Sequence, residues 1–211
     1  MNLNCNTFYI YKYIFMNKTP SKEDISIFPL FPTLEKRDIF VVSKSSECLA
    51  AYESLKDVAV VGFDTESKPT FVKNEISSGP HVVQFAVHDK AYVFQLFDET
   101  CRAVVSKLLA SPNILKVGFG LAGDGVQIRR TLGIEPENVL DINTLFNAKG
   151  YIKEIGIKSA VAVLFHQRLI KSRKATTSNW ANKVLSEGQI LYAANDAFAA
   201  LKVYESIAAL G

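Results

Sequence analysis

The sequence predicts one α/β domain in which a mixed β-sheet is covered by α-helices. Three observations predict it. Val58–Phe63 is a continuous apolar run bounded by charge, as a strand buried on both faces requires. The apolar runs His81–Val87 and Ala91–Gln95 follow, separated only by His88-Asp89-Lys90, so they read as an antiparallel hairpin beside that strand. Beyond residue 99 helical and strand spacing alternate, which lays further strands beside the first and helices over the sheet.

The elements follow in order. Residues 1–37 are expected to be an irregular extension, since 17–37 contain Pro20, Pro29 and Pro32. Met16, followed by a polar stretch, reads as the natural initiator. The preceding run Phe8–Phe15 is too short to span a bilayer and has no small-residue cleavage site after it. The domain proper is expected over 38–211. Ile39–Ser43 reads as a strand and Ser46–Leu55 as a helix; Lys68–Pro80 is a polar loop. Glu99–Leu109 has helical periodicity, Ile114–Gly118 is a buried strand, and Ala122–Leu132 is a helix closed by Gly133. Asn138–Ile142 gives a last short strand. The chain then reads as helical from Ser159, most strongly over Ser186–Leu210.

With 48% hydrophobic and 21% charged residues in 211, the chain can fill one core, which excludes a disordered segment. A net charge of +3 permits a polyanionic partner without requiring one. Cys5, Cys48 and Cys101 lack the spacing of a zinc or redox pair and are expected as free thiols in a reducing compartment, cytoplasmic or, in a eukaryote, nuclear. His81, His88 and His166 stand at no ligand spacing, so any metal would be held by carboxylates, which favours Mg²⁺ or Mn²⁺.

Three short patterns carry the chemistry. In Phe63-Asp64-Thr65-Glu66 the two acids follow directly on a buried strand and, two apart on an extended chain, point to the same side. Two carboxylates so close repel each other, and a divalent cation relieves that. In Val117-Gly-Phe-Gly-Leu-Ala-Gly-Asp124 a strand ends, glycines permit a tight turn, and Asp124 enters the first turn of a helix. In Tyr192-Ala-Ala-Asn-Asp196 the tyrosine and acid are four apart on one helical face, among small residues that permit close approach. Each pattern alone has a plainer explanation: a turn, a helix-start aspartate meeting the helix dipole, and a buried tyrosine beside an exposed acid.

Taken in order, the three resemble the tyrosine-type DEDD (DnaQ-like) 3′–5′ exonucleases, most closely the Werner-type branch and then ribonuclease D. Tyr92-Val-Phe-Gln-Leu96 and Ser178-Asn-Trp180 resemble the same branch, and the likeness runs from about residue 39 to 208. A related branch places a catalytic histidine five residues before the last aspartate. Leu191 stands there, leaving Tyr192 as the candidate.

The resemblance implies a ribonuclease H-like fold with three antiparallel strands followed by parallel ones. It also implies catalytic and metal-binding roles for Asp64, Glu66, Asp124 and Asp196, which would hold two divalent cations about 4 Å apart. Asp64 would bridge both, Glu66 and Asp196 would complete one shell, and Asp124 would serve the other. The Tyr192 hydroxyl would orient the attacking water, and nucleoside 5′-monophosphates would leave from a 3′ end. The implied partner is nucleic acid, single-stranded or at a 3′ end, with DNA somewhat favoured over RNA and no membrane. Thr65, through its backbone, and Leu121 are expected at the terminal nucleotide, beside a pocket that Phe63 helps shape. Lys171, Arg173 and Lys174 in a loop over 171–177 are expected on the substrate backbone, and Trp180 either stacks on a base or packs the core. The alternative function is a non-catalytic adaptor of the same fold. Such proteins usually lack some of the acids, whereas all four and the tyrosine are present here.

Overall fold

A computed structural model describes residues 18–70 and 75–210. The expectations for Met16 and the run before it lie outside the described residues. The lead-in is less irregular than expected. Helix α1 (Lys22–Ile27) starts at Ser21, whose hydroxyl accepts from the Asp24 N–H at 3.0 Å while Asp24 accepts from the Ser21 N–H at 3.2 Å. This Ser-x-x-Asp capping box directly after Pro20 was legible in the sequence. A 3₁₀ turn follows at Lys36–Asp38.

Strand β1 (Ile39–Val42) and helix α2 (Ser45–Leu55) lead to the central strand β2 (Val60–Glu66). β3 (Val82–Ala86) and β4 (Ala91–Gln95) form the expected hairpin, and every residue in both strands is buried. Then come α3 (Glu99–Leu109), β5 (Leu115–Gly118), α4 (Ala122–Leu132) and β6 (Val139–Asp141). The sheet order is β1-β4-β3-β2-β5-β6. β3 is antiparallel to both β2 and β4, β5 and β6 run parallel to β2, and β1 pairs parallel with β4. The mixed sheet expected from the order of elements is therefore the one found.

The helical C-terminal half is broken, not continuous. α5 (Asn143–Ala148) precedes α6 (Ile157–Phe165), which stops at His166 in a left-handed conformation, φ 53°. α7 (Arg173–Thr176) is one turn capped by Ser172, and α8 (Glu187–Ala208) begins with a Ser186–Gln189 capping box.

Period-two alternation splits the core between the sheet's faces. Val61, Phe63, Val83, Phe85 and Phe94 pack with α2, α3 and Ile128 of α4. Val82, Ala86, Val93 and Val117 pack with α6 and α8 on the other face. α8 lies against β2 at Gly62, where a Cβ would stand 1.9 Å from the Ala197 carbonyl oxygen, so only glycine allows this approach. Asn195 on α8 holds the lead-in: its Oδ1 accepts from the Leu34 N–H at 2.7 Å and its Nδ2 donates to the Leu34 carbonyl at 3.3 Å.

One expectation is overturned. Cys48 and Cys101, expected as free thiols, are joined by a disulfide. They are 53 residues apart in sequence, but α2 and α3 pack side by side and bring their Cα atoms to 5.3 Å, within disulfide range. Spacing along the chain could not show this. Among the described residues, no helix is long and apolar enough to cross a membrane.

Candidate active site

β2 runs further than the apolar pattern indicates. Its ladder with β3 pairs Asp64 with Gln84, Thr65 with Val83 and Glu66 with Val82. Asp64 and Glu66 are thus held on the strand itself, on the face that α8 covers, and are not in a turn after it. α8 brings Asp196 down onto them. One carboxylate oxygen from each of Asp64, Glu66 and Asp196 lies within 4.8 Å of the others. Tyr192, one helical turn earlier, shares that face.

Asp124 lies in the first turn of α4, as expected, but it does not converge with the other three. Its Oδ1 accepts a hydrogen bond from the Thr65 hydroxyl. Thr65 stands between two residues that face α8, so its own side chain points to the opposite face, toward α4. The β5–α4 turn is fixed by Asp141, which accepts from the backbone N–H of Leu121 at 3.0 Å and of Asn143 at 2.9 Å. Gly120 in that turn has φ 68°, a left-handed value that suits glycine.

Burial raises the Asp64 carboxyl well above the usual carboxylate range, and the charges of Asp196 and Asp124 add to it. Burial, then Asp64 and Asp196, push Glu66 up to about 9. Asp196, only 5% exposed, is likewise raised by burial, against the opposing effect of Lys171. Lys171 Nζ lies 2.5 Å from Asp196 Oδ2 and 4.8 Å from the Tyr192 ring centre. Burial works against this ammonium, but the Asp196 carboxylate outweighs it and the pKa ends above the ordinary lysine value. Burial also raises the Tyr192 phenol, which accepts from the Thr176 hydroxyl at 3.2 Å.

Three hard oxygen donors that repel one another, brought together in a partly desolvated cleft, suit a divalent cation such as Mg²⁺ or Mn²⁺. A bound cation would supply the positive charge that these acids otherwise obtain by holding protons.

The substrate-contact candidates divide. Lys171 turns inward to the acids, while Arg173 and Lys174 are exposed on α7. Leu121 is buried and, with Phe63, lines a cavity of about 180 Å³. Trp180 is 1% exposed, with its ring centre 6.0 Å from that of Tyr192. Of the two expectations for Trp180, packing is the one found: the indole fills the core beside the tyrosine, buried from any base. Gln84, Asp141 and the Thr65 hydroxyl were not expected at the site, and Thr176 was expected only as part of the 171–177 loop. Only Gln84 and Asp141 left a trace, as lone polar residues in or at the end of apolar strands.

A mixed sheet in this order, with carboxylates gathered where its central strand meets the last helix, defines a ribonuclease H-like nuclease domain. The family model described as 3′–5′ exonuclease matches residues 39–210, and the chain belongs to that family. It is 32% identical over 151 residues to a 3′–5′ exonuclease of Arabidopsis thaliana, covering 70% of this chain and 52% of that protein. It is 31% identical over 188 residues to the bifunctional 3′–5′ exonuclease/ATP-dependent helicase WRN of Mus musculus, covering 85% of this chain and 13% of the relative. The chain thus spans about half of the first relative and a small part of the second. Among solved structures, Trypanosoma brucei RNase D superposes with a TM-score of 0.72 at 20% identity, covering 82% of this chain and 65% of that one. The Aedes aegypti Nibbler EXO domain gives 0.69 at 23% identity, covering 82% and 88%.

Proposed function

We propose that this chain is an active, metal-dependent 3′–5′ exonuclease that removes nucleoside 5′-monophosphates from the 3′ end of a nucleic acid. The observation that carries it is the convergence of Asp64, Glu66 and Asp196 beside Tyr192 and Lys171.

Asp64, Glu66 and Asp196 would hold the cations, with Asp124 serving a second one. When bound, such cations supply Lewis acidity at the phosphodiester and make the attacking water more acidic. Every other part belongs to the chain. Tyr192, its phenol kept protonated by burial, orients the attacking water and does not act as a simple base. Water attacks the terminal phosphorus, the P–O3′ bond breaks, and the departing 3′ oxygen takes a proton. Lys171 brings a fixed positive charge to the reaction centre, available to a phosphate oxygen. Exposed Arg173 and Lys174 hold the strand by its phosphates. The relatives include both ribonuclease D and the helicase-linked WRN, so DNA and RNA are both tested as substrates.

The test is a Mg²⁺ or Mn²⁺ assay on 5′-labelled single-stranded DNA, duplex DNA and RNA. A ladder that shortens from the 3′ end and disappears with chelator supports the reading. A chain that binds these strands but leaves them intact in either metal is the adaptor instead.

A further inference from the structure

Gln84 is fully buried, at 0% exposure, and neither its amide nitrogen nor its amide oxygen has a hydrogen-bond partner among the described residues. An unpaired buried amide costs free energy, and a core position of this shape would take leucine or methionine without that cost. The ladder shows what surrounds it. On β3 its same-face neighbours are Val82 and Ala86, and on β4 the residue opposite is Val93, all apolar. On β2 the residue directly opposite is Asp64. Opposed residues in an antiparallel ladder share a face, with Cβ atoms about 4.5–5.5 Å apart. A glutamine spans that gap by changing rotamer.

We propose that Gln84 is the positioning residue for Asp64. In the cation-loaded site its carboxamide N–H donates to the Asp64 carboxylate and fixes the rotamer that faces Glu66 and Asp196. This rests on the metal-dependent reading above. Asp64 otherwise accepts the N–H of its own neighbour Thr65 on Oδ1, at 2.9 Å. A group that orients a metal-holding carboxylate from behind is typically worth about 10–100-fold in metal affinity.

The test measures Mn²⁺ affinity without substrate, by electron paramagnetic resonance or calorimetry, for wild type, Gln84→Met, Gln84→Leu and Asp64→Asn. Thermal unfolding in chelator is measured alongside. The proposal expects Gln84→Met to melt at or above the wild-type temperature in chelator while its Mn²⁺ affinity falls at least tenfold. It also expects kcat to fall more than KM rises. Wild-type Mn²⁺ affinity in a folded Gln84→Met overturns it. So does failure of both apolar variants to fold, which would assign the amide to the fold. Absence of Mn²⁺ binding by wild type itself defeats the metal reading, and Asp64→Asn marks the loss expected when a ligand is removed.

Discussion

Lys171 sets its ammonium 2.5 Å from the Asp196 carboxylate and 4.8 Å from the centre of the Tyr192 ring. Asp196 and Tyr192 come from one helix and Lys171 from the segment before α7, so this pair ties that segment to α8. Lys171 acts differently from its basic neighbours. Lys171→Met removes the largest charge that favours an ionised Asp196 over burial, so cation binding should demand a higher pH. Mn²⁺ titrations across pH 6–9 should show the affinity curve displaced upward. By contrast, Arg173→Ala with Lys174→Ala should raise KM severalfold, leave kcat near wild type, and flatten the dependence of binding on salt.

Asp64→Asn or Asp196→Asn should abolish hydrolysis and keep the fold. Asp64→Asn removes a buried carboxyl that repels its neighbours, so in chelator it should melt at the wild-type temperature or above it, whereas Asp196→Asn also takes the carboxylate from Lys171 and should melt lower than Asp64→Asn. Circular dichroism melts beside a nuclease assay check both halves.

The acids predict how stability changes with pH. Glu66 is raised from 4.5 to about 9 in the folded protein, so between those values the folded state holds a proton that the unfolded state has released. Its contribution is fully present below about 4.5 and is lost as pH rises toward 9. In chelator the melting temperature should therefore fall across that window. Mn²⁺ should reverse the fall and release protons as it binds. Glu66→Gln should flatten the slope in chelator, with each kcal/mol regained raising the melting temperature by about 2–4 °C.

Tyr192→Phe keeps the ring that packs on Trp180 and removes the hydroxyl that Thr176 bonds. It should lower kcat by about 10²-fold with little change in melting temperature or cation affinity. Thr176→Val should have a smaller effect in the same direction, read from kcat at saturating substrate.

Gly62→Ala should damage stability and activity together. The new methyl would occupy the space of the Ala197 carbonyl oxygen, so α8 must lift from β2, carrying Asp196 from Asp64. A destabilisation of about 1–3 kcal/mol is expected from the overpacking. Comparison with Gly123→Ala, where a Cβ meets nothing within 4 Å, separates this from a general effect of losing a glycine.

The sequence by itself determined the order of the strands, the hairpin after the central strand, and which acids and tyrosine stand as candidates for the site. These are local properties: buried strands are written as apolar runs, helices by their spacing and caps, and Asp64, Glu66, Tyr192 and Asp196 by separations of two and four that put side chains on a common face. Only the tertiary structure decided what depends on elements distant in the chain. It carried β2 through Glu66, because β3 supplies the hydrogen bonds. It turned Lys171 inward to Asp196 and gave Asp124 to the Thr65 hydroxyl. It closed Cys48 on Cys101 across two packed helices and buried Trp180 under the tyrosine. It also placed Gln84 opposite Asp64. A residue two or four positions away is fixed by backbone geometry, whereas one 20 or 130 positions away is fixed by how sheet and helix faces pack, which no local pattern encodes.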